Sequence, residues 1–90
     1  MKTLFIVNPI AGRKKSLEIW NNIKPHIKSP FDYVLTKGPG DATKIAADAK
    51  NQGYTRVVAV GGDGTVCEVV NGIIGTDIEL GIIPAGTGND

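Results

Sequence analysis

The spacing of apolar residues changes period several times along the ninety positions. Leu4 to Val7 is a short continuous apolar run, the pattern of a strand buried on both faces. From about Lys15 to Lys28 the spacing becomes helical, with Leu17, Trp20, Ile23 and Ile27 on one face. Pro25 lies inside that span and predicts a kink or break, because it lacks a backbone donor; Ser29-Pro30 reads as a stop. Asp32 to Thr36 predicts a second strand. A helix from about Asp41 to Gln52 follows, with Ala42, Ile45, Ala46 and Ala49 on one side, Asp41 as N-cap and Gly53 as its end. Arg56 to Val60 predicts a third strand. Thr65 to Ile74 predicts a third helix, striped by Val66, Val69, Val70, Ile73 and Ile74 and closed by Gly75. Leu80 to Ile83 predicts a fourth strand.

The predicted order is βαβαβαβ, without internal repeats or a domain boundary. Such alternation implies an α/β fold: a parallel sheet with helices on both faces, in three layers. Ligands of open parallel sheets bind beyond the carboxyl ends of the strands. Four segments converge there: NPIAG (8–12), Thr36, GGDGT (61–65) and AGTGND (85–90). That convergence points to a ligand edge more strongly than any single loop.

Composition narrows the classes. The chain is 41% hydrophobic and 21% charged, with net charge +1, which gives no basic bias toward nucleic acid. Its apolar runs are too short to span a bilayer, and MKTLFIVN reads as a first strand and not as a signal peptide. A single cysteine, Cys67, excludes an internal disulfide and any Cys-rich metal site, and fits a reducing, cytoplasmic setting. Ten of the twelve glycines gather at 38–40, 61–64, 72–75 and 81–88, which reads as loop chemistry.

The loops suggest an anion site. In GGDGT, glycines permit close approach of a ligand, and the N–H groups of the following helix favour phosphate. Asp63 in the same loop could orient Mg²⁺, hold a ribose hydroxyl or accept a proton from an attacking alcohol; the plainer reading is a helix cap. Asn8 could donate side-chain hydrogen bonds to a nucleotide. Arg13 could reach a phosphate, whereas Lys14 and Lys15 read as a solvated helix start. The loop is not a Walker A motif, because the G-x-x-x-x-G-K-[ST] spacing is absent. Glu68 lies off the apolar stripe and either reaches the ligand loops or is a solvated acid. Cys67 and Trp20 read as structural, Cys67 partly buried and Trp20 in the core. His26 reads as surface.

NPIAG, a Thr after the second strand with Gly40-Asp41-Ala42 beyond it, GGDGTVCEVVNGI and LGIIPAGTGND occur in that order. Together they resemble the N-terminal part of the diacylglycerol kinase catalytic domain, as in bacterial soluble lipid kinases and in sphingosine and ceramide kinases. The likeness covers the whole chain. GGDGT alone is shared with NAD kinases and phosphofructokinases, and NPIAG and GTGND argue against those. The resemblance implies an N-terminal domain of the NAD kinase and diacylglycerol kinase type, followed by a β-rich lipid-binding domain, with ATP between the two. On that reading residues 1–90 are a truncated nucleotide-binding domain. ATP contacts would come from Asn8, Pro9, Ile10, Ala11, Gly12, Thr36, Gly62, Asp63, Gly64, Thr65, Val66, Cys67, Glu68 and Thr87. Cys67 stands where the family usually has Asn.

The family's catalytic Asp and Mg²⁺ ligands would follow later in the protein, which leaves no metal ligand here and Asp63 as the one catalytic candidate, more a positioner than a base. The expectation is therefore an ATP- and Mg²⁺-dependent kinase of a diacylglycerol-like lipid. It would be cytoplasmic, with peripheral membrane contact left open. The fragment alone would be inactive, with an exposed edge strand that favours self-association. The rival expectations are an NAD kinase-like phosphotransferase and a silent nucleotide-binding module.

Overall fold

A computed structural model describes residues 2–85. Four strands, β1 (Thr3–Val7), β2 (Phe31–Leu35), β3 (Arg56–Gly61) and β4 (Glu79–Pro84), form one parallel sheet in the order β2-β1-β3-β4. The helices α1 (Ala11–Ile23), α2 (Asp41–Ala49) and α3 (Asp63–Ile73) make the crossovers. The expected α/β order is therefore present. The central strands β1 and β3 carry the continuous apolar runs because both of their faces are covered. β2 and β4 are the edges of the described sheet, and Leu80 and Ile82 on β4 are partly exposed.

Alternation along the strands divides the core in two. Leu4, Ile6, Val57 and Ala59 face α2 and α3, meeting Ala42, Ala46, Ala49, Val69 and Ile73. Phe5, Val7, Val58 and Val60 face the other way and pack on Trp20 of α1, which is fully buried as expected. Phe5, Phe31 and Tyr33 ring the indole, with centroids 4.8, 5.9 and 5.2 Å from it. Helices thus cover both faces, which makes the three layers.

Several boundaries differ from expectation. The helical turns of α1 begin at Ala11, earlier than Lys15, but Gly12, Arg13 and Lys14 are left-handed, so regular helix does start near Lys15. Of the kink or break expected at Pro25, the structure has the break: α1 ends at Ile23 and gives way to a short 3₁₀ turn, Lys24–His26, ahead of the stop expected at Ser29-Pro30. Gly40, at φ +84°, occupies the N-cap position of α2, and Asp41 is its first helical residue. α2 ends at Ala49, and Gly53 (φ +88°) closes a separate turn beyond it. Cys67 is exposed and not partly buried. The buried line of α3 is Thr65, Val69 and Ile73, and Cys67 lies two residues, roughly 200°, from Thr65 around the helix. Ile74, expected in the stripe, is the C-cap and 74% exposed.

At the opposite edge of the sheet from the glycine loops, the Tyr54 hydroxyl donates to Asp32 Oδ2 at 2.6 Å. That bond, then burial and the Asp32 charge, push the phenol from 10.0 up to about 12. A raised folded-state value means that the stabilisation is complete below the unfolded value of 10.0 and is lost as the pH climbs toward about 12. Urea midpoints should fall more steeply across that window in the wild type than in Tyr54→Phe. Parallel pH profiles for the two proteins would contradict the assignment.

Candidate functional site

The strand order reverses between β1 and β3: the chain leaves β1 toward β2 on one side and returns to β3 on the other. The crevice at such a switch point opens between the two crossovers. Here it is a cleft of about 310 Å³, at the small end for a ligand site. Three loops wall it, one after each of β1, β2 and β3.

The first loop continues the sheet, since Asn8 N–H donates to the Val60 carbonyl at 3.0 Å. The chain then turns through Pro9 and Ile10, and Ile10 N–H donates back to Asn8 Oδ1 at 3.2 Å. Left-handed Arg13 (φ 57°) and Lys14 (φ 73°) each cost roughly 1–2 kcal/mol. The fully buried Ser16 hydroxyl holds this turn in place by donating to the Asn8 and Ala11 carbonyls. Arg13, Lys14 and Lys15 are exposed.

The second loop begins where Thr36 N–H donates to the Val7 carbonyl at 2.8 Å, one residue past the end of β2. Asp41 N–H donates to the Gly38 carbonyl at 3.2 Å, and Lys37 N–H to Asp41 Oδ2 at 2.8 Å.

The third loop is the start of α3. Gly62 is its N-cap and provides no side chain, and the first helical bond runs from Val66 N–H to the Gly62 carbonyl at 3.1 Å. The N–H groups of Asp63, Gly64 and Thr65 therefore have no acceptor within the helix. Asn8 Nδ2 donates to Thr65 Oγ1 at 3.2 Å and ties the first loop to the third.

Of the expected contacts, Asn8, Pro9, Ile10, Ala11, Thr36, Gly62, Gly64, Thr65 and Glu68 all line this cleft. Gly12, Asp63, Val66 and Cys67 are not among its lining residues. Val66 packs against the core, while Asp63 and Cys67 are exposed. Thr87 lies outside the described residues, as does the rest of the last glycine loop. Sequence reasoning missed Lys37, Gly38 and Pro39, which form the exposed outer wall, and Ala42, which lines the cleft from the buried face of α2. The Gly38-Pro39-Gly40 stretch, one residue beyond Thr36, was the available signal. It also missed Ser16, whose role depends on a contact eight residues back in the chain.

The cleft presents backbone donors, one cation (Lys37) and one carboxylate (Glu68). The N-termini of α2 and α3 flank it, and their dipoles favour an anion. Among the described residues no three His, Cys, Asp or Glu side chains gather to hold a metal, and no helix is long and apolar enough to cross a membrane.

Residues 2–90 match the diacylglycerol kinase catalytic domain. A diacylglycerol kinase of Mycobacterium tuberculosis is 37% identical over 92 residues, covering 99% of this chain and 30% of the relative. A diacylglycerol kinase of Bacillus subtilis is 37% identical over 94 residues, covering 94% of this chain and 30% of the relative. A crystal structure of a Bacillus anthracis diacylglycerol kinase superposes with a TM-score of 0.76 at 36% identity, over 99% of this chain and 34% of that one. The chain thus spans about a third of the length of the curated relatives it matches. The solved relative has the same α/β arrangement, a fold of the NAD kinase type.

Proposed function

The chain belongs to the diacylglycerol kinase catalytic domain family, and from that premise we propose that its cleft binds ATP for phosphoryl transfer to the hydroxyl of a diacylglycerol-like lipid. The observation that carries the reading is the uncapped start of α3 at the switch point, tied to Asn8 and facing the wall that begins at Thr36. The N–H groups of Gly64 and Thr65, without an acceptor inside α3, suit a phosphate oxygen, and the dipole of α3 adds to the attraction. Lys37 supplies a positive charge on the outer wall. Mg²⁺ would arrive with the phosphates, which usually supply much of its coordination, and would neutralise charge on the transferring group.

These residues bind and orient the donor. Asp63, exposed at the start of α3, can influence the phosphates or their Mg²⁺ through water. The acceptor lipid would meet the protein outside the span described here, at a membrane surface approached peripherally. The expected setting is cytoplasmic.

Intact protein given Mg²⁺ and γ-labelled ATP should move label into the lipid phase of a lipid extract and not into NAD. Label in NAD would replace the lipid reading by an NAD kinase-like one. ATP binding with no transfer would make the protein a silent nucleotide-binding module. In the ninety-residue chain, MgATP should shift the amide resonances of residues 8–11, 36 and 62–65 before any others. Shifts confined elsewhere would contradict the placement.

A further inference from the structure

The second loop contains a defined turn. Asp41 N–H donates to the Gly38 carbonyl at 3.2 Å, with Pro39 and Gly40 between them and Gly40 at φ +84°, ψ −15°. That is a type II turn, with Pro and Gly at the positions that type requires. A type I turn of the same four residues differs by a flip of the Pro39–Gly40 peptide. The flip reverses the direction of the Gly40 N–H, which neither turn uses internally.

In this structure that N–H has a partner from another element: it donates to Glu68 Oε1 on α3 at 3.2 Å. The same residue is tied to α2, since the Thr43 hydroxyl donates to the Glu68 carbonyl at 2.8 Å. The Asp41 carboxylate also grips the loop, but through the Lys37 N–H, which lies outside the flipped peptide. Of the two carboxylates, only Glu68 distinguishes the turn types.

We propose that Glu68 is a positioning residue for the cleft. Its carboxylate adds to the preference of the Pro39-Gly40 pair for the type II form of the Gly38–Asp41 turn, and so holds the wall formed by Lys37, Gly38 and Pro39 in place. The inference rests on the nucleotide reading for its consequence, but the turn itself can be observed without a ligand. It also accounts for a carboxylate lining a cleft meant for phosphates: the charge is directed onto a backbone donor of the loop.

The test uses the ¹⁵N-labelled chain with three variants. Glu68→Gln keeps an oxygen acceptor and removes the charge, and Glu68→Ala removes both. Gly40→Ala leaves Glu68 in place and disfavours positive φ. Without nucleotide, Glu68→Ala should speed exchange of the Gly40 amide about tenfold or more, as expected for a lost hydrogen bond to a charged group, while Glu68→Gln stays within about threefold of wild type. Affinity for MgATP should follow the same order, and Gly40→Ala should weaken it about as much as Glu68→Ala does.

A Gly40 amide unmoved by Glu68→Ala overturns the proposal. So does a Glu68→Gln protein that keeps Gly40 protected yet loses ATP as badly as Glu68→Ala, because the charge would then act on the ligand directly. Affinity is read on the intact protein: if the intact wild type binds no ATP, the proposed function fails instead, and the exchange rates alone decide whether Glu68 holds the turn.

Discussion

Gly72→Ala is expected to destabilise the fold by about 2 kcal/mol or more, although helix propensity alone favours Ala over Gly by about 1 kcal/mol. Gly72 lies inside α3 where that helix crosses α2. A Cβ there would stand 2.6 Å from the Ala46 Cβ, 2.6 Å from the Thr43 carbonyl oxygen and 2.8 Å from the Ala47 nitrogen. Two of those three atoms are backbone, so no side-chain rotation relieves the contact and the helices must separate. Separation opens the layer formed by Ala42, Ala46, Val69 and Ile73, and it moves Glu68 away from Thr43 and Gly40. Overpacking of this kind costs roughly 1–3 kcal/mol, and rigid neighbours place it at the upper end. For a domain of this size the melting temperature should drop by about 10 °C. Ala46→Gly should not rescue the variant, because the Thr43 and Ala47 clashes remain. A urea midpoint that rises in Gly72→Ala would show that propensity wins and that the helices do not approach this closely.

Gly72 also shows what could be read from the sequence and what could not. It stood in a glycine cluster that looked like loop chemistry, whereas it serves a helix crossing. Crossings join residues far apart in the chain, and no local pattern records them. The element order and the three layers were legible because β1 and β3 carry apolar runs and the helices carry one-sided stripes. Trp20 was legible as core for the same reason. Asn8, Thr36 and the residues of GGDGT were legible as a common edge because parallel strands put every strand-to-helix loop on one side. The exposure of Cys67 was not, since it turned on the stripe of α3 running through Thr65, which is polar by type but buried in fact. The two readings left open for Glu68 could not be separated either. Its partner, the Gly40 N–H, is twenty-eight residues away, and no local pattern records that the Pro39-Gly40 turn aims it at α3. The family itself was legible from the ordered set of motifs, which the match over residues 2–90 bears out.

Gly61→Ala should do the largest damage to the cleft itself. Gly61 ends β3, and a Cβ there would stand 2.5 Å from Thr65 Oγ1, 2.8 Å from its Cβ and 3.1 Å from its Cγ2. Turning the Thr65 side chain relieves the first and third contacts but not the second, because a Cβ moves only with its helix. The first turn of α3 must therefore shift away from β3, carrying the N–H groups of Gly64 and Thr65 with it. The shift also strains the bond from Asn8 Nδ2 to Thr65 Oγ1 that sets the spacing between two walls. Under the ATP reading, displacing a binding framework by a sizeable fraction of an ångström should weaken MgATP by about tenfold to a hundredfold. Thr65→Ala makes the comparison informative. It deletes only the hydroxyl and methyl and should lose about fivefold, the value of one neutral hydrogen bond. Gly61→Ala combined with Thr65→Gly removes all three clashing atoms, so the double variant should bind better than Gly61→Ala alone despite the glycine it places in the first turn of α3. Recovery of that kind would locate the defect in the packing of β3 against α3, since no direct ligand contact is restored. A Gly61→Ala protein that binds MgATP as wild type does, with unmoved Asn8 side-chain amide resonances, would mean that the start of α3 is not held where the phosphates need it.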